Sequence, residues 1–270
     1  MLLSIVIQVR ALNDGQIEGG TGRGIHGYWF SRWKIVDPRA GDLLHERNDI
    51  PPFTLSPLMG LSRPQQGKVT VTKGDQAWFR ITNLSNNLSQ NTLQKWLPGV
   101  GDVIPIANLD WYIEKIITAR EKHSWADQLL YNDLASAHLY VINPPKKWRF
   151  EFLTPVTFHS SKYHLPLPLP DSLVGSWLKR WQAYSPIALP TNLRERAREE
   201  LVISAYNLKT IPIRHGKALH IGCVGWLILK AMNLNPTERA ALDTLATFAF
   251  FAGSGHRTTQ GMGLTRLIKI

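Results

Sequence analysis

The first twelve residues place apolar side chains on alternating positions and read as a strand, with Arg10 near its end. Residues 14–24 are polar and glycine-rich, so they read as a loop. From Ile25 the spacing changes. Ile25, Trp29, Trp33 and Val36 recur at helical intervals, which predicts a helix over 25–36. Asp37-Pro38 supplies an N-cap followed by proline at the first helical position, so a second helix runs to about Glu46. Pro51 and Pro52 stop it. Residues 53–59, 68–72 and 77–82 read as strands, 93–96 as a short helix, 111–117 as a strand and 124–134 as a helix.

Pro144-Pro145-Lys146-Lys147 reads as a linker or loop, after which the pattern restarts. Residues 148–159 alternate as a strand. Residues 171–184 form a helix with Leu173, Trp177, Leu178 and Trp181 on one face. The mixed-sign run 194–200 reads as a solvated helix face. Strands over 201–208 and 218–229 flank a basic turn, Arg214-His215-Gly216-Lys217. Asn235-Pro236-Thr237-Glu238 resembles a capping box and opens a helix to about Phe251, followed by a last strand over 264–270. The second half therefore reads β-α-β-β-α-β, and the first opens in the same way. The predicted class is α+β: two tandem ferredoxin-like, RRM-like domains over 1–143 and 144–270, with a C-terminal glycine-rich loop.

That loop, Gly253-Ser-Gly-His-Arg-Thr-Thr-Gln-Gly-Met-Gly263, is the most informative local feature. Glycine permits positive φ and close backbone approach, and exposed amides beside an arginine suit phosphate. A P-loop would need a Gly-Lys-Ser/Thr end, which the loop lacks. A dinucleotide fingerprint would need glycine where Thr258 stands, and a preceding strand rather than a helix. A helix C-cap explains Gly253 alone, not the pair Gly261 and Gly263. The residues expected to hold a phosphate backbone are Gly253, Gly255, His256, Arg257, Thr258, Gly261 and Gly263. Ser161 and Lys162 are expected over the same ligand, from a polar loop.

Charge strengthens this picture. Lys and Arg exceed Asp and Glu by 31 to 20, a net charge of +11, which points to a polyanionic partner. Ten tryptophans and seven tyrosines add stacking surfaces, although most aromatics serve a core. The single Cys223, among apolar neighbours, excludes a disulfide framework and a cysteine-based zinc site, and reads as a buried strand residue in a reducing cytoplasm. The start lacks a charged segment and cleavage site of the secretory type, and no apolar run is long enough to span a membrane. No carboxylate pair or His-Cys grouping has metal-ligand spacing, so neither metal nor cofactor is expected.

Candidate chemistry sits near the start. Gly22-Arg23-Gly24 leads into a helix with His26 in its first turn, and His45 lies in the last turn of the next helix. Taken singly, each histidine reads as a cap or surface residue. Together with Arg23 they suffice for metal-free RNA cleavage: one imidazole takes the 2′-hydroxyl proton, the other protonates the leaving 5′-oxygen, and the arginine stabilises the phosphate charge. A helix N-terminus disfavours imidazolium and a C-terminus favours it, so His26 suits the base and His45 the acid, with the reverse assignment left open. His159 and His164 read as groove or solvent residues. Lys146-Lys147-Trp148-Arg149 and Lys179-Arg180-Trp181 are candidates for tracking phosphates.

The C-terminal Gly253-x-Gly255…Gly261-x-Gly263 stretch resembles the loop of the RAMP proteins of CRISPR systems. The block Ile25-His26-Gly27-Tyr28-Trp29-Phe30…Asp37-Pro38…Leu44-His45-Glu46…Pro52-Phe53-Thr54-Leu55-Ser56 resembles one branch, the CRISPR repeat endoribonucleases (Cas six). Residues 153–158, 167–170 and 222–225 resemble their second domain. The resemblance implies tandem ferredoxin-like domains and metal-independent cleavage of precursor CRISPR RNA within each repeat, leaving a 2′,3′-cyclic phosphate and a 5′-hydroxyl. It implies His45 as a catalytic histidine and CRISPR repeat RNA, precursor and mature, as partner. Phe30 stands where some members carry a catalytic tyrosine, and Pro51 or Pro52 where they carry a lysine. Tyr28, Arg23 or Arg47 is left to fill those roles, and Arg23 is favoured because its flanking glycines let backbone approach phosphate. A homodimer and retention in a CRISPR effector complex stay open, as do two alternatives: a non-cleaving repeat-RNA-binding protein and a structural RAMP subunit.

Overall fold

The chain divides into two compact units, Met1–Gln128 with Thr259–Gly261, and Leu129–Thr258 with Met262–Ile270. The computed structural model describes every residue except 19, 47–49, 63, 161–162 and 216–217; the side chains of 45, 46, 160, 214, 215 and 218 are also outside the description.

In the first unit, β1 (Leu2–Ala11) is followed by β2 (Gly15–Glu18), α1 (Gly22–Val36) and α2 (Pro38–Glu46). Then come β3 (Phe53–Leu55), β4 (Lys68–Val71), β5 (Gln76–Asn83), α3 (Asn86–Asn91), β6 (Val103–Ile106), β7 (Leu109–Ile117) and β8 (Asp127–Leu129). The sheet order is β3-β5-β1-β7-β6, with β8 also pairing with β1. β1 is antiparallel to β5 from Leu3↔Asn83 to Arg10↔Gln76, and antiparallel to β7 on its other edge. Its apolar residues are buried, which is why the strand lies mid-sheet. Helix α1 lays Ile25, Trp29 and Trp33 into the core at the predicted spacing. There Trp29 packs on Trp96 at 4.6 Å and on Phe53 at 5.3 Å between ring centroids.

Three sequence expectations change here. Residues 14–24 contain a strand and the first helical turn. In β2 only Ile17 is buried, so no alternation marked it, and it pairs with β4 in a separate ribbon. The short helix expected over 93–96 is the end of a longer turn. α3 is capped by the Ser85 hydroxyl accepting from Leu88 N–H at 3.2 Å, and a π-turn, Thr92–Trp96, continues it. Its asparagine-rich sequence carries no apolar stripe. Arg32 closes its end by donating to the carbonyls of Trp96 and Leu97, the latter at 2.7 Å. The helix expected over 124–134 starts only at Tyr131, because Leu130 is extended (ψ 147°).

In the second unit, α4 (Tyr131–Leu139) precedes β9 (Lys147–Val156), β10 (Phe158–Ser160) and β11 (Tyr163–Leu165). α5 (Pro170–Tyr184), α6 (Leu193–Glu200), β12 (Leu201–His215), β13 (Ala218–Ala231), α7 (Pro236–Ala252) and β14 (Thr265–Ile268) follow. The sheet order β12-β13-β9-β14 is antiparallel throughout. With α5 after β9 and α7 after β13, this is the ferredoxin-like arrangement. The first unit repeats the order as β3-β5-β1-β7, so both halves have the expected fold. β12 runs seven residues past its expected end. Pro212 hid the extension, and a proline is tolerated because β12 is an edge strand. The strand expected over 148–159 is two strands, β9 and β10. Cys223 is buried in β13, and burial pushes its thiol up to about 11. No helix among the described residues is long and apolar enough to cross a membrane.

Candidate active site and glycine-rich loop

In the first unit, His26 Nδ1 lies 2.9 Å from the carbonyl oxygen of Thr259. A carbonyl only accepts, so Nδ1 carries hydrogen and donates it, and proton exchange falls to Nε2. The ring also packs edge-on to Phe30 at 4.8 Å and near Phe53 at 6.4 Å. Because α1 begins at Gly22, His26 occupies the second helical turn rather than the first. The helix dipole acts mainly within the first turn. The Thr259 carbonyl does not take over the role expected of the helix end: it fixes the ring's orientation and tautomer, and as an acceptor it does not disfavour the imidazolium.

The glycines around Arg23 serve packing. A Cβ on Gly22 would overlap the Gln260 carbonyl and sit 2.7 Å from Gly261 Cα, and one on Gly24 would lie 3.2 Å from Ala107 N. Arg23 itself is exposed on the opening turn of α1. Gly261 has φ +92° against Gly22. Tyr28 is turned into the core against Phe79 and Trp96, and burial, offset in part by Arg32, pushes its hydroxyl up to about 12. Phe30 forms one wall of the His26 environment. His45 falls in the last turn of α2, with its side chain outside the described residues; Arg47, Ser161 and Lys162 lie outside them altogether.

In the second unit, the glycine-rich loop is held from within. Gly253 ends α7 with φ +64°, and its N–H donates to Ala249 O at 2.9 Å. Ser254 N–H donates to Gly263 O, Gly255 N–H to Ser176 Oγ, His256 N–H to Thr157 O and Gly263 N–H to Pro155 O, all at 2.8–3.0 Å. The amides of Gly253, Ser254, Gly255, His256 and Gly263 are thus engaged by the fold. Arg180 supplies the other half of the hold. Its guanidinium donates to the carbonyls of Ala252 (2.9 Å) and Gly255 (3.2 Å) and to Thr258 Oγ1 (2.8 Å). Burial lowers its pKa to about 10, which leaves it charged at neutral pH. Trp177 Nε1 and Thr265 Oγ1 both donate to Ser254 Oγ. Arg257 is partly buried with φ +57°, an uncommon region for a non-glycine residue. His256 sits beside it, with its ring 5.1 Å from His159 and 5.4 Å from His164.

Sequence reasoning missed Arg180 and the Thr259 carbonyl. Arg180 was grouped with phosphate-tracking cations, and only its partners in the fold reveal that it braces the loop. Thr259 is 233 residues from His26, and no local pattern joins them. Of the other basic segment, Trp148 is buried, donating to Asp243 at 2.8 Å, and Arg149 lies over the Trp226 ring at 4.5 Å. Among the described residues no group of three or more His, Cys, Asp or Glu side chains could hold a metal ion.

Two family models match the chain: the CRISPR Cas6 N-terminal domain over residues 1–136, and the CRISPR-associated endoribonuclease Cas6 over 150–265. The chain belongs to the Cas6 family. Together the two models take in most of the sequence, and the resemblance read from the residues is borne out. A solved Cas6 (TTHB231) product complex is 28% identical, with a TM-score of 0.83, covering 99% of this chain and 100% of that one. The Thermus thermophilus Cas6 (TTHB231) structure is 26% identical, with a TM-score of 0.75, and covers 99% of this chain and 98% of its own. A Cas6 (TTHA0078) product complex shares the fold at 22% identity, with a TM-score of 0.80 over 99% of both chains. No curated protein matches the chain. As a Cas6 family member, this chain is a CRISPR RNA-processing endoribonuclease.

Proposed function

We propose that the chain cuts precursor CRISPR RNA within its repeats without a metal, by attack of a 2′-hydroxyl on the adjacent phosphorus. The observation that supports this reading is the hydrogen bond from His26 to the Thr259 carbonyl, which favours the tautomer with hydrogen on Nδ1, the form in which Nε2 can accept a proton. In the proposed step His26 Nε2 takes the 2′-hydroxyl proton. The 2′-oxygen bonds to phosphorus as the bond to the 5′-oxygen breaks, and His45 gives that oxygen its proton. Products are a 2′,3′-cyclic phosphate and a 5′-hydroxyl. Arg23, exposed at the opening of α1, stabilises charge on the phosphate. The glycine-rich loop holds RNA through His256 and Arg257, and Gly253, Gly255, Thr258, Gly261 and Gly263 shape it. Ser161 and Lys162 add contacts. A relative 28% identical to the chain was solved as a product complex, which supports an RNA product as ligand here.

The test is single-turnover cleavage of repeat RNA in EDTA, with analysis of the product ends. His26→Ala and His45→Ala are each expected to slow cleavage by about 10²–10⁴-fold, the usual worth of a general acid or base. Arg23→Ala should slow it less. Loss of wild-type cleavage in EDTA, or products without a cyclic phosphate, would refute the mechanism.

A further inference from the structure

Helix α1 turns one face to residues 259–261. Gly22 and His26 lie four positions apart on α1, so they share that face one turn from each other. His26 Nδ1 meets the Thr259 carbonyl at 2.9 Å. One turn earlier, the backbone of Gln260 and Gly261 runs directly over Gly22. A Cβ on Gly22 would come to 2.1 Å from the Gln260 carbonyl oxygen and 2.6 Å from its carbon. A Cβ on Gly261 would come to 2.8 Å from Gly22 Cα and 3.2 Å from Pro57 N, and Gly261 holds φ +92°. The segment thus sits in a slot, with the start of α1 as one wall and the turn after β3 as the other. The walls are tied together: Leu58 N–H donates to Thr21 Oγ1 at 2.7 Å, and Thr21 is buried.

An unrestrained neutral imidazole in water favours hydrogen on Nε2, which leaves that nitrogen unable to accept a proton. A carbonyl reverses this preference only if it is itself held in place. The acceptor here is backbone, so its place is set by the path of the chain through Gln260 and Gly261 rather than by a side chain. We propose that Gly22 and Gly261 are positioning residues for the base. Their missing side chains let residues 259–261 close on α1, and this contact holds the Thr259 carbonyl where it keeps hydrogen on His26 Nδ1, the form in which Nε2 accepts the 2′-hydroxyl proton. The proposal rests on His26 serving as the base, and it gives the two glycines a part in the proton transfer beyond packing or RNA binding.

Gly22→Ala is the smallest probe, since its methyl group must push the Gln260 carbonyl away and carry the Thr259 carbonyl with it. Imidazole nitrogen NMR at mildly alkaline pH, where an imidazole is neutral, reads the tautomer. Wild-type His26 should carry hydrogen on Nδ1, and Gly22→Ala should shift it toward Nε2. Single-turnover cleavage at saturating repeat RNA should slow by about 10–10²-fold, the cost of misplacing a catalytic group by about 1 Å. Affinity for fully 2′-O-methylated repeat RNA, which has no nucleophile, should stay at the wild-type level. In a His26→Ala background Gly22→Ala should slow nothing further, because the group it positions is gone. Thr21→Val unties the walls of the slot without adding bulk. It should act in the same direction more weakly, and it carries the test if melting curves show that Gly22→Ala does not fold.

Hydrogen on Nε2 of wild-type His26 overturns the proposal without any variant. So does a wild-type tautomer and rate in both Gly22→Ala and Thr21→Val, or an equal slowing by Gly22→Ala with and without His26. Any of these outcomes, together with slow cleavage by His26→Ala, overturns the slot alone and leaves the ribonuclease reading intact. Normal cleavage by His26→Ala overturns the assignment of the base, and the positioning role of the glycines with it.

Discussion

Arg180 shows how one side chain can set the shape of a loop it does not belong to. Three strong donations tie it to Ala252, Gly255 and Thr258, which are consecutive holding points of the glycine-rich loop. Replacing it with methionine keeps most of the volume and removes every donation. Buried carbonyls then lose charged partners, each worth about 1.5–3 kcal/mol, and partial rescue by water reduces the sum. We expect Arg180→Met to cost about 2–4 kcal/mol in urea unfolding and to open residues 253–258 to proteolysis. A loss below about 0.5 kcal/mol with an intact loop would show that the backbone bonds suffice. The same residue marks the limit of reading a site from sequence. Lys179-Arg180-Trp181 reads as a basic patch, and only the fold turns Arg180 inward while Lys179 stays exposed. The candidate base was legible as a residue type, His26. Its orientation was not, because the group that orients it is a backbone carbonyl at the other end of the chain.

Elements were legible where sequence carried both a start signal and a stripe. α7 has both. Asn235 Oδ1 accepts from Glu238 N–H, and Glu238 Oε2 accepts from Asn235 N–H, each at 2.9 Å, so the capping box is complete. Glu238 also accepts from Arg196 Nε at 2.7 Å, which ties α6 to the start of α7. Behind that cap Leu242, Leu245, Phe248 and Phe251 are buried, and Gly253 ends the helix at the loop. Asn235→Ala should cost about 1 kcal/mol, a fall of roughly 2–5 °C in Tm. Glu238→Ala should cost more, since it breaks the box and the Arg196 pair together. Equal losses for the two variants would argue that the Arg196 contact contributes nothing. β2 and α3 were illegible for the opposite reason. A strand with one buried side chain and a helix of asparagine, serine and glutamine have almost no apolar pattern, and their positions are set by pairing with β4 and by the Ser85 cap.

At the scale of the molecule, the same sheet order arises twice from unrelated stretches of sequence, β3-β5-β1-β7 and β12-β13-β9-β14. The chain's last glycine-rich segment is divided between the units, with Thr259–Gly261 counted in the first and its flanks in the second. That division could not be read locally, since the segment looks like one continuous loop. Net charge was legible directly, and its consequence is general rather than local. A surplus of +11 should make RNA binding depend steeply on salt, because cations that neutralise phosphates release counterions. About four to six phosphate contacts would give a log–log slope near −3 to −5, or about a 60- to 1,000-fold loss of affinity between 50 and 200 mM salt. Arg257→Ala should make that slope shallower by about 1 if it meets a phosphate, and should weaken binding to repeat and unrelated RNA alike. It should also leave cleavage of saturating RNA largely intact, since proton transfer is assigned to His26 and His45. An Arg257→Ala variant that binds normally but cannot cut would place the arginine in the chemistry instead. An affinity indifferent to salt would remove the electrostatic basis of RNA binding altogether.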